Sequence, residues 1–156
     1  MWRLKISPSS QAGNLQGRAT ALGPGVQGFR VGRRVVAYPG KGGYAEYAVA
    51  KASLTRPVPD GVESTVAAAI PTVFLTAWFA LLEDGKIRSG DQILIQAGGS
   101  GVGTAAIQVA KHLGARILTT AGTDEKCSRL HGLGADETIN YSVKDFPQEV
   151  LRLTGG

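Results

Sequence analysis

The sequence predicts an α/β fold in which a β-rich segment precedes the first half, β-α-β-α-β, of a doubly wound parallel sheet. From residue 91 onward, short apolar runs alternate with segments of helical periodicity, as expected for parallel strands joined by crossover helices. A glycine-rich turn within "QAGGSGVGTAA", residues 96–106, connects the first run to the first periodic segment. "PVPDG" at residues 57–61 is rich in turn-forming residues. It predicts a boundary between a domain of residues 1–60 and a domain of residues 61–156.

The composition favours a globular protein of the cytoplasm. The 156 residues are 43% apolar, enough to build a core. Cys127 is the single cysteine, which excludes an internal disulfide framework and fits a reducing compartment. Pro71 and the pair Glu83 and Asp84 interrupt the longest apolar stretch, so we expect no membrane-spanning segment and no membrane partner. The first ten residues lack the long apolar segment of a signal peptide.

The elements before residue 90 are predicted from local patterns. "RRVVAY", residues 33–38, and "GYAEYAV", residues 43–49, are typical of strands, and "PGKGG" between them is typical of a hairpin connection. The first sixteen residues show no pattern. Beyond the boundary we expect one helix over residues 64–70, capped by Ser64, and a second over residues 72–85 after Pro71.

The second domain follows from the alternating pattern. "DQILIQA", residues 91–97, is a nearly unbroken apolar run, as expected for a strand covered on both faces. Apolar residues then recur at helical spacing up to Gly114, which can end that helix. The further expected elements are a strand at 115–120, a helix at 124–134, a strand at 137–141 and a helix at 145–153.

The glycine turn suggests a phosphate-binding function. A helix N-terminus offers unpaired N–H groups and a partial positive charge, and a pyrophosphate reaches them only where side chains are small. The motif of dinucleotide-binding sheets is G-x-G-x-x-G. Here it reads Gly98, Gly99, Ser100, Gly101, Val102 and Gly103, with serine in the second glycine position. A tight strand-to-helix turn without a ligand is the alternative.

The loop after the second strand favours NADPH over NADH. A carboxylate at that strand end would bind the ribose 2′-hydroxyl of NADH, whereas a 2′-phosphate needs donors and positive charge. Gly122, Thr123 and Lys126 supply a backbone donor, a hydroxyl and an ammonium. Asp124 and Glu125 lie in the same loop but can instead complement the dipole of the next helix. Lys126 can equally be a solvated helix lysine.

The motifs together resemble one family. "GPGVQGFRVGRRVVAY", "GGYAEYAV", "PVPDGV", "AAAIPTVFLTAW", "SGDQILIQAGGSGVGTAAIQVAK" and "GADETINY" are similar, in order and spacing, to the zinc-independent, zeta-crystallin-like quinone oxidoreductases of the medium-chain dehydrogenase/reductase superfamily. The resemblance implies a GroES-like β-rich catalytic domain followed by an NADP-binding Rossmann domain. It implies NADPH-dependent hydride transfer to a small quinone or enone.

The resemblance also implies roles for individual residues. Ala97, Ser100 and Gly103, with Gly101 and Val102 between them, would hold the pyrophosphate. Lys126 and the Gly122–Thr123 loop would contact the 2′-phosphate. Tyr141 would pack beside the adenosine ribose, and Thr76 would face the nicotinamide. Without the resemblance, Tyr141 and Thr76 are an ordinary strand-end tyrosine and helix threonine.

The chain departs from the family pattern at several places. Arg33 stands where the family has an aspartate, so we expect a local ion pair to be lost. Family members are about twice as long, which implies truncation at both ends: only a remnant of the GroES-like domain and the N-terminal half of the Rossmann domain remain. The strand at residues 93–97 would then become a sheet edge. We therefore expect self-association into a homo-oligomer.

No catalytic or metal-binding residue is assigned from the sequence. Cys127, His112 and His131 lie on two predicted helices and do not form a ligand set for zinc. Thr72, in the position of a zinc-binding cysteine of zinc-dependent relatives, is a poor ligand. Hydride transfer to a quinone needs no dedicated acid. Two alternatives remain: an inactive nucleotide-binding fragment, and an RNA-binding module. The chain lacks the interleaving of basic and aromatic residues that nucleic-acid stacking requires, which argues against the second.

Overall fold

The computed structural model describes residues 3–8, 14–40 and 45–156. The chain divides into two compact units, Met1–Thr72 and Val73–Gly156. This division falls inside a helix, beyond the turn-rich segment at residues 57–61. The assignment of two domains at residues 1–60 and 61–156 stays a prediction.

The first unit contains an antiparallel sheet of five strands in the order β4-β1-β2-β3-β5. Side chains alternate between the core and the solvent, as in β1, where Leu4 and Ile6 are buried and Arg3 and Lys5 are exposed. Leu15 and Val35 from the neighbouring strands complete the centre of this core. The strands are β1 Arg3–Pro8, β2 Leu15–Leu22, β3 Arg34–Ala37, β4 Ala48–Lys51 and β5 Thr55–Pro57.

The predicted β-rich character of this segment is confirmed, but the predicted hairpin is wrong. β3 pairs with β2 on one side and with β5 on the other, which leaves it no edge for β4. β4 pairs with β1 instead. Four residues of the "PGKGG" to "GYAEYAV" segment, numbers 41–44, lie outside the described residues. The strand also begins later than predicted, at Ala48.

Pro71 does not divide the next helix. A single helix, α1 Ser64–Trp78, contains Pro71 and continues as a π-helical turn, Phe79–Asp84. Proline removes one backbone hydrogen bond, and the helix continues through Thr72, Val73 and Phe74 although their intrinsic helix propensity is modest. The predicted pair of helices is therefore wrong, whereas the end at Gly85 is confirmed.

The continuous helix also corrects the expectation that no apolar segment is long enough to span a membrane. Ser64–Asp84 is a helix of 21 residues with a mean hydropathy of 1.9, long and apolar enough to cross a membrane. The sequence-based expectation of no such segment relied on a break at Pro71 that does not occur. Glu83 and Asp84 lie at the end of the helix and do not interrupt it. Only 11% of its apolar window is buried, and a single helix of this kind is weak evidence for a membrane span.

The second unit has the predicted β-α-β-α-β order. Its three strands form a parallel sheet in the order β6-β7-β8, and the expected fold class is confirmed. Ile107, Ile117 and Leu130, from two helices and the central strand, are buried together. The elements are β6 Gln92–Ile95, α2 Gly101–His112, β7 Arg116–Ala121, α3 Asp124–Leu133, β8 Glu137–Asn140 and α4 Phe146–Thr154.

Strand β6 is less buried than its apolar sequence predicts. It is an edge strand, as expected, with β7 as its partner. Leu94 is 39% exposed, and Ile93 and Ile95 are half-buried. The prediction of cover on both faces is wrong, because the described residues do not bury the face that carries Leu94.

Candidate functional site

The turn between β6 and α2 is held against the end of β7. Ala97 adopts the left-handed conformation with φ of 51°, which a non-glycine residue rarely does without support. Its N–H donates to the hydroxyl of Thr120 at 3.1 Å. The N–H of Gly98 donates to the carbonyl of Thr120 at 2.9 Å. The hydroxyl of Thr119 donates to the carbonyl of Ile95 at 2.7 Å, so two threonines fix the start of the turn.

Two of the glycines are required by close packing. A Cβ at Gly98 would lie 2.1 Å from the Oγ1 of Thr119. A Cβ at Gly103 would lie 2.5 Å from the carbonyl oxygen of Ala97. Gly99 differs, because its Cβ would meet only the Cδ of Lys126, at 3.7 Å. The first and last glycines of the motif therefore bring α2 against the strand end, as the dinucleotide-binding motif requires.

The N-terminus of α2 exposes free donors. The hydroxyl of Ser100 caps the helix by accepting the N–H of Gly103 at 3.0 Å. Gly101 and Val102 are exposed. Within the described ranges their N–H groups have no hydrogen-bond acceptor, as is usual for a first helical turn. Exposed N–H groups at the positive end of a helix dipole are suited to donate hydrogen bonds to an anion.

The loop between β7 and α3 lies beside this turn. The hydroxyl of Thr123 caps α3 by accepting the N–H of Lys126 at 3.2 Å. The side chain of Lys126 extends from that first turn toward Gly99, so that its Cδ lies beside the glycine turn. Tyr141 covers Gly122, since its hydroxyl oxygen would lie 2.9 Å from a Cβ there. The structure thus brings Lys126 to the glycine turn and Tyr141 to Gly122.

Both carboxylates of this loop have partners elsewhere in the unit. Asp124 accepts a hydrogen bond of 2.8 Å from the side-chain amide of Asn140. Glu125 forms an ion pair of 2.7 Å with Arg129, one helical turn along α3. Neither carboxylate is therefore left without a partner at the end of β7.

Thr76 belongs to helix α1 and not to the glycine turn or the loop after β7. It is exposed on α1. One turn earlier on the same helix, Cγ1 of Val73 would lie 3.2 Å from a Cβ at Gly101. The roles predicted for Thr76 and for the other site residues stay predictions.

Sequence reasoning missed the side chains that support the site. Asn140 accepts the N–H of Ser142 at 3.0 Å, and the hydroxyl of Ser142 donates to the carbonyl of Gly122 at 2.9 Å. Thr119 and Thr120 are buried although they are polar. Adjacent threonines at the end of an apolar strand were a usable signal, since buried hydroxyls need partners. Nothing in the sequence alone identified Asn140.

Comparison with known proteins finds relatives with a similar fold. Residues 101–156 match the family described as zinc-binding dehydrogenase. The solved Escherichia coli quinone oxidoreductase in complex with NADPH has a TM-score of 0.87 at 26% identity, over 99% of this chain and 55% of that one. A solved NAD-dependent alcohol dehydrogenase has a TM-score of 0.89 at 35% identity, over 99% of this chain and 60% of that one. The predicted resemblance to the quinone oxidoreductases of the medium-chain dehydrogenase/reductase superfamily is confirmed.

The chain is also similar to a segment of a much larger protein. Over 144 residues it is 40% identical to a phenolphthiocerol/phthiocerol polyketide synthase polypeptide from Mycobacterium tuberculosis. The match covers 92% of this chain and 6% of the synthase polypeptide. The chain therefore spans a small part of that relative. It spans little more than half of the solved quinone oxidoreductase and of the solved alcohol dehydrogenase.

A metal centre is not evident in the part of the chain that the structure describes. No three His, Cys, Asp or Glu side chains group together there as metal ligands would. Thr72 donates its hydroxyl hydrogen bond to the side-chain oxygen of Asn14. The single cysteine, Cys127, is buried in the core of the second unit, and His131 bonds through Nδ1 to the carbonyl of Ala135 at 3.0 Å. The expectation of zinc independence stays a prediction.

Proposed function

We propose that this chain forms the cofactor-binding part of an NADPH-dependent oxidoreductase that transfers a hydride to a small quinone or enone. The observation that carries the proposal is the exposed N–H pair of Gly101 and Val102, with Lys126 beside the same turn. The NADPH complex of the quinone oxidoreductase relative supports the choice of ligand. Another relative is an NAD-dependent alcohol dehydrogenase. The preference for NADPH over NADH is therefore the point to test.

The residues around the turn would bind two groups of NADPH, the pyrophosphate and the 2′-phosphate. The N–H groups at the start of α2 would donate to the pyrophosphate, which needs the side-chain-free surface of Gly98 and Gly99. The ammonium of Lys126 would pair with the 2′-phosphate. Asp124 and Glu125 would not repel that phosphate strongly, because Asn140 and Arg129 already hold them.

The acceptor class follows from the chemistry of the cofactor and from two relatives. Bound NADPH supplies a hydride from its nicotinamide ring. A quinone or an enone accepts hydride at carbon and a proton from water, so the protein needs no dedicated acid. One relative is a quinone oxidoreductase, and another is a polyketide synthase. The second favours, as an alternative acceptor, an α,β-unsaturated thioester.

The remaining parts of the proposal concern metal, partners and location. We propose a zinc-independent enzyme of the cytoplasm, with a small molecule as substrate and another copy of the chain as partner. The buried single cysteine is consistent with a reducing compartment.

Turnover of NADPH by the purified 156-residue chain tests the activity. NADPH absorbance would be followed after adding 1,2-naphthoquinone or the crotonyl thioester of N-acetylcysteamine. Oxidation in one assay identifies the acceptor class. Binding of NADPH without oxidation in either assay would contradict an active enzyme and leave a nucleotide-binding fragment.

A further inference from the structure

An arginine-lined cavity in the first unit is not used by the proposed function. It has a volume of about 400 Å³, within the range of small-ligand sites. Four arginines line it, and Asp60 is the single carboxylate among the lining residues. The lining comprises Arg18, Arg30, Val31, Gly32, Arg33, Arg34, Val58 and Asp60.

The backbone holds two of the guanidinium groups in place. Arg18 donates from Nη1 to the carbonyl of Gly32 at 2.8 Å. Arg34 donates from Nη1 to the carbonyl of Val62 at 2.9 Å. These acceptors are neutral, so the two positive charges remain uncompensated while their positions are fixed. Fixed donors bind an anion at a lower entropic cost than mobile ones.

The other two arginines leave the cavity strongly positive. Arg33 pairs with Asp60 at 3.6 Å, and the Asp60 side chain is 93% exposed, so this pair is weak. The expected loss of an ion pair at Arg33 is thus offset by a different partner. Within the described residues, the guanidinium of Arg30 has no hydrogen-bond or ion-pair partner. Clustered like charges repel, and an anion relieves that repulsion.

We propose that this cavity binds a small phosphate-bearing anion at a second site, separate from the glycine turn. Guanidinium groups match the geometry of phosphate oxygens and form paired hydrogen bonds with them. The cavity is concave and has no aromatic lining residue, which fits a compact ligand better than a nucleic-acid strand. Arg30 supplies the free donors, and Arg18 and Arg34 supply fixed positive charge.

Calorimetric titration of the full 156-residue chain with inorganic pyrophosphate tests the site. Wild type should bind, and Arg30→Gln should weaken binding by about tenfold, the effect of one charge-assisted hydrogen-bonded pair. Arg30→Lys should retain part of the affinity because the charge remains. Arg56→Gln is the matched control: Arg56 is in the same unit and outside the cavity, so affinity should be unchanged. Arg30 makes no native hydrogen bond that its replacement would break, so the fold should persist.

Three outcomes would overturn the proposal. The first is that wild type does not bind pyrophosphate. The second is that binding persists unchanged in Arg30→Gln, which would assign it to the glycine turn. The third is that a glutamate-rich decapeptide binds more tightly than pyrophosphate with the same dependence on Arg30, which would assign the surface to an acidic polypeptide. Because NADPH binding is measured separately, failure here leaves the proposed function intact.

Discussion

Asn140 donates a hydrogen bond of 2.8 Å from its side-chain amide to the carboxylate of Asp124. Asn140 is 8% exposed, and its carbonyl oxygen accepts the N–H of Ser142. The amide is therefore fixed at both ends between β8 and the start of α3. This contact holds a negative charge in a set position beside the loop that is proposed to bind the 2′-phosphate.

Replacing Asn140 should reduce the preference for NADPH. In Asn140→Ala the carboxylate of Asp124 loses its partner and is free to turn toward the phosphate. Repulsion of about 1 kcal/mol between two solvated charges near 4 Å corresponds to roughly fivefold in affinity. We expect a rise of that size in the Kd for NADPH, measured by cofactor fluorescence, and a smaller change for NADH. Adding Asp124→Asn should restore the wild-type value; no restoration would exclude this charge as the cause.

The glycines of the turn should differ sharply in their tolerance of a side chain. Gly103→Ala places a Cβ against the carbonyl of Ala97 at 2.5 Å, and overpacking of this kind costs about 1–3 kcal/mol. Thermal unfolding should show a lower Tm, and NADPH binding should be lost. Gly99→Ala is the control, because its Cβ meets only the flexible Lys126 side chain. Equal Tm values for the two variants would contradict the packing described for the turn.

Asp136 should make the second unit sensitive to acid. The hydrogen bond from the N–H of Ile117, at 2.7 Å, and the nearby Lys111 hold the pKa of Asp136 below its usual value. Its stabilising effect is therefore complete above the unfolded pKa of about 3.9 and is lost as pH falls through the lower folded value. Asp136→Asn should lower the Tm at pH 7 and flatten the fall in Tm below pH 4.

Glu149 provides a comparison for the acid titration. Hydrogen bonds from Arg152 and Lys144 lower the pKa of Glu149 to about 2. Lys144 and Arg152 are both more than half exposed, and ion pairs to solvated partners contribute little to stability. Glu149→Gln should leave the Tm profile between pH 7 and pH 3 close to wild type. If the Tm profile of Glu149→Gln were flattened as much as that of Asp136→Asn, the acid sensitivity could not be assigned to Asp136.

Exposed apolar side chains of the second unit should cause self-association. Trp78, the last residue of α1, is 48% exposed, and Phe79, the first residue of the π-helical turn, is 59% exposed. Contiguous apolar surface of this kind is typical of interaction sites. Sedimentation velocity should show oligomers of wild type and a shift toward monomer for the Trp78→Ser and Phe79→Ser double variant. Val143→Ser removes an apolar side chain that is 72% exposed elsewhere in the unit and should have no effect.

The sequence predicted those elements whose apolar residues recur with a clear helix or strand spacing. The parallel β-α-β-α-β unit was predicted from its apolar runs, from the glycine turn and from the helix end at Gly114. β1 was missed although "RLKI" alternates, because four alternating residues beside turn-forming ones give a weak signal. The pairing of β4 with β1 depends on contacts distant in sequence. The break at Pro71 was wrong because local propensity was overridden by the helix on both sides. Asn140 was missed because its role depends on where β8 places it.

Cofactor preference in the Lys126→Gln variant tests the central claim most directly. Fluorescence titrations with NADPH and NADH would be compared for wild type and the variant. Loss of one charge-assisted contact predicts that wild type binds NADPH about tenfold or more tightly than NADH, and that the variant binds the two alike. NADH affinity should change little. Equal affinities in wild type, or a preference for NADPH that survives in Lys126→Gln, would contradict the proposed site.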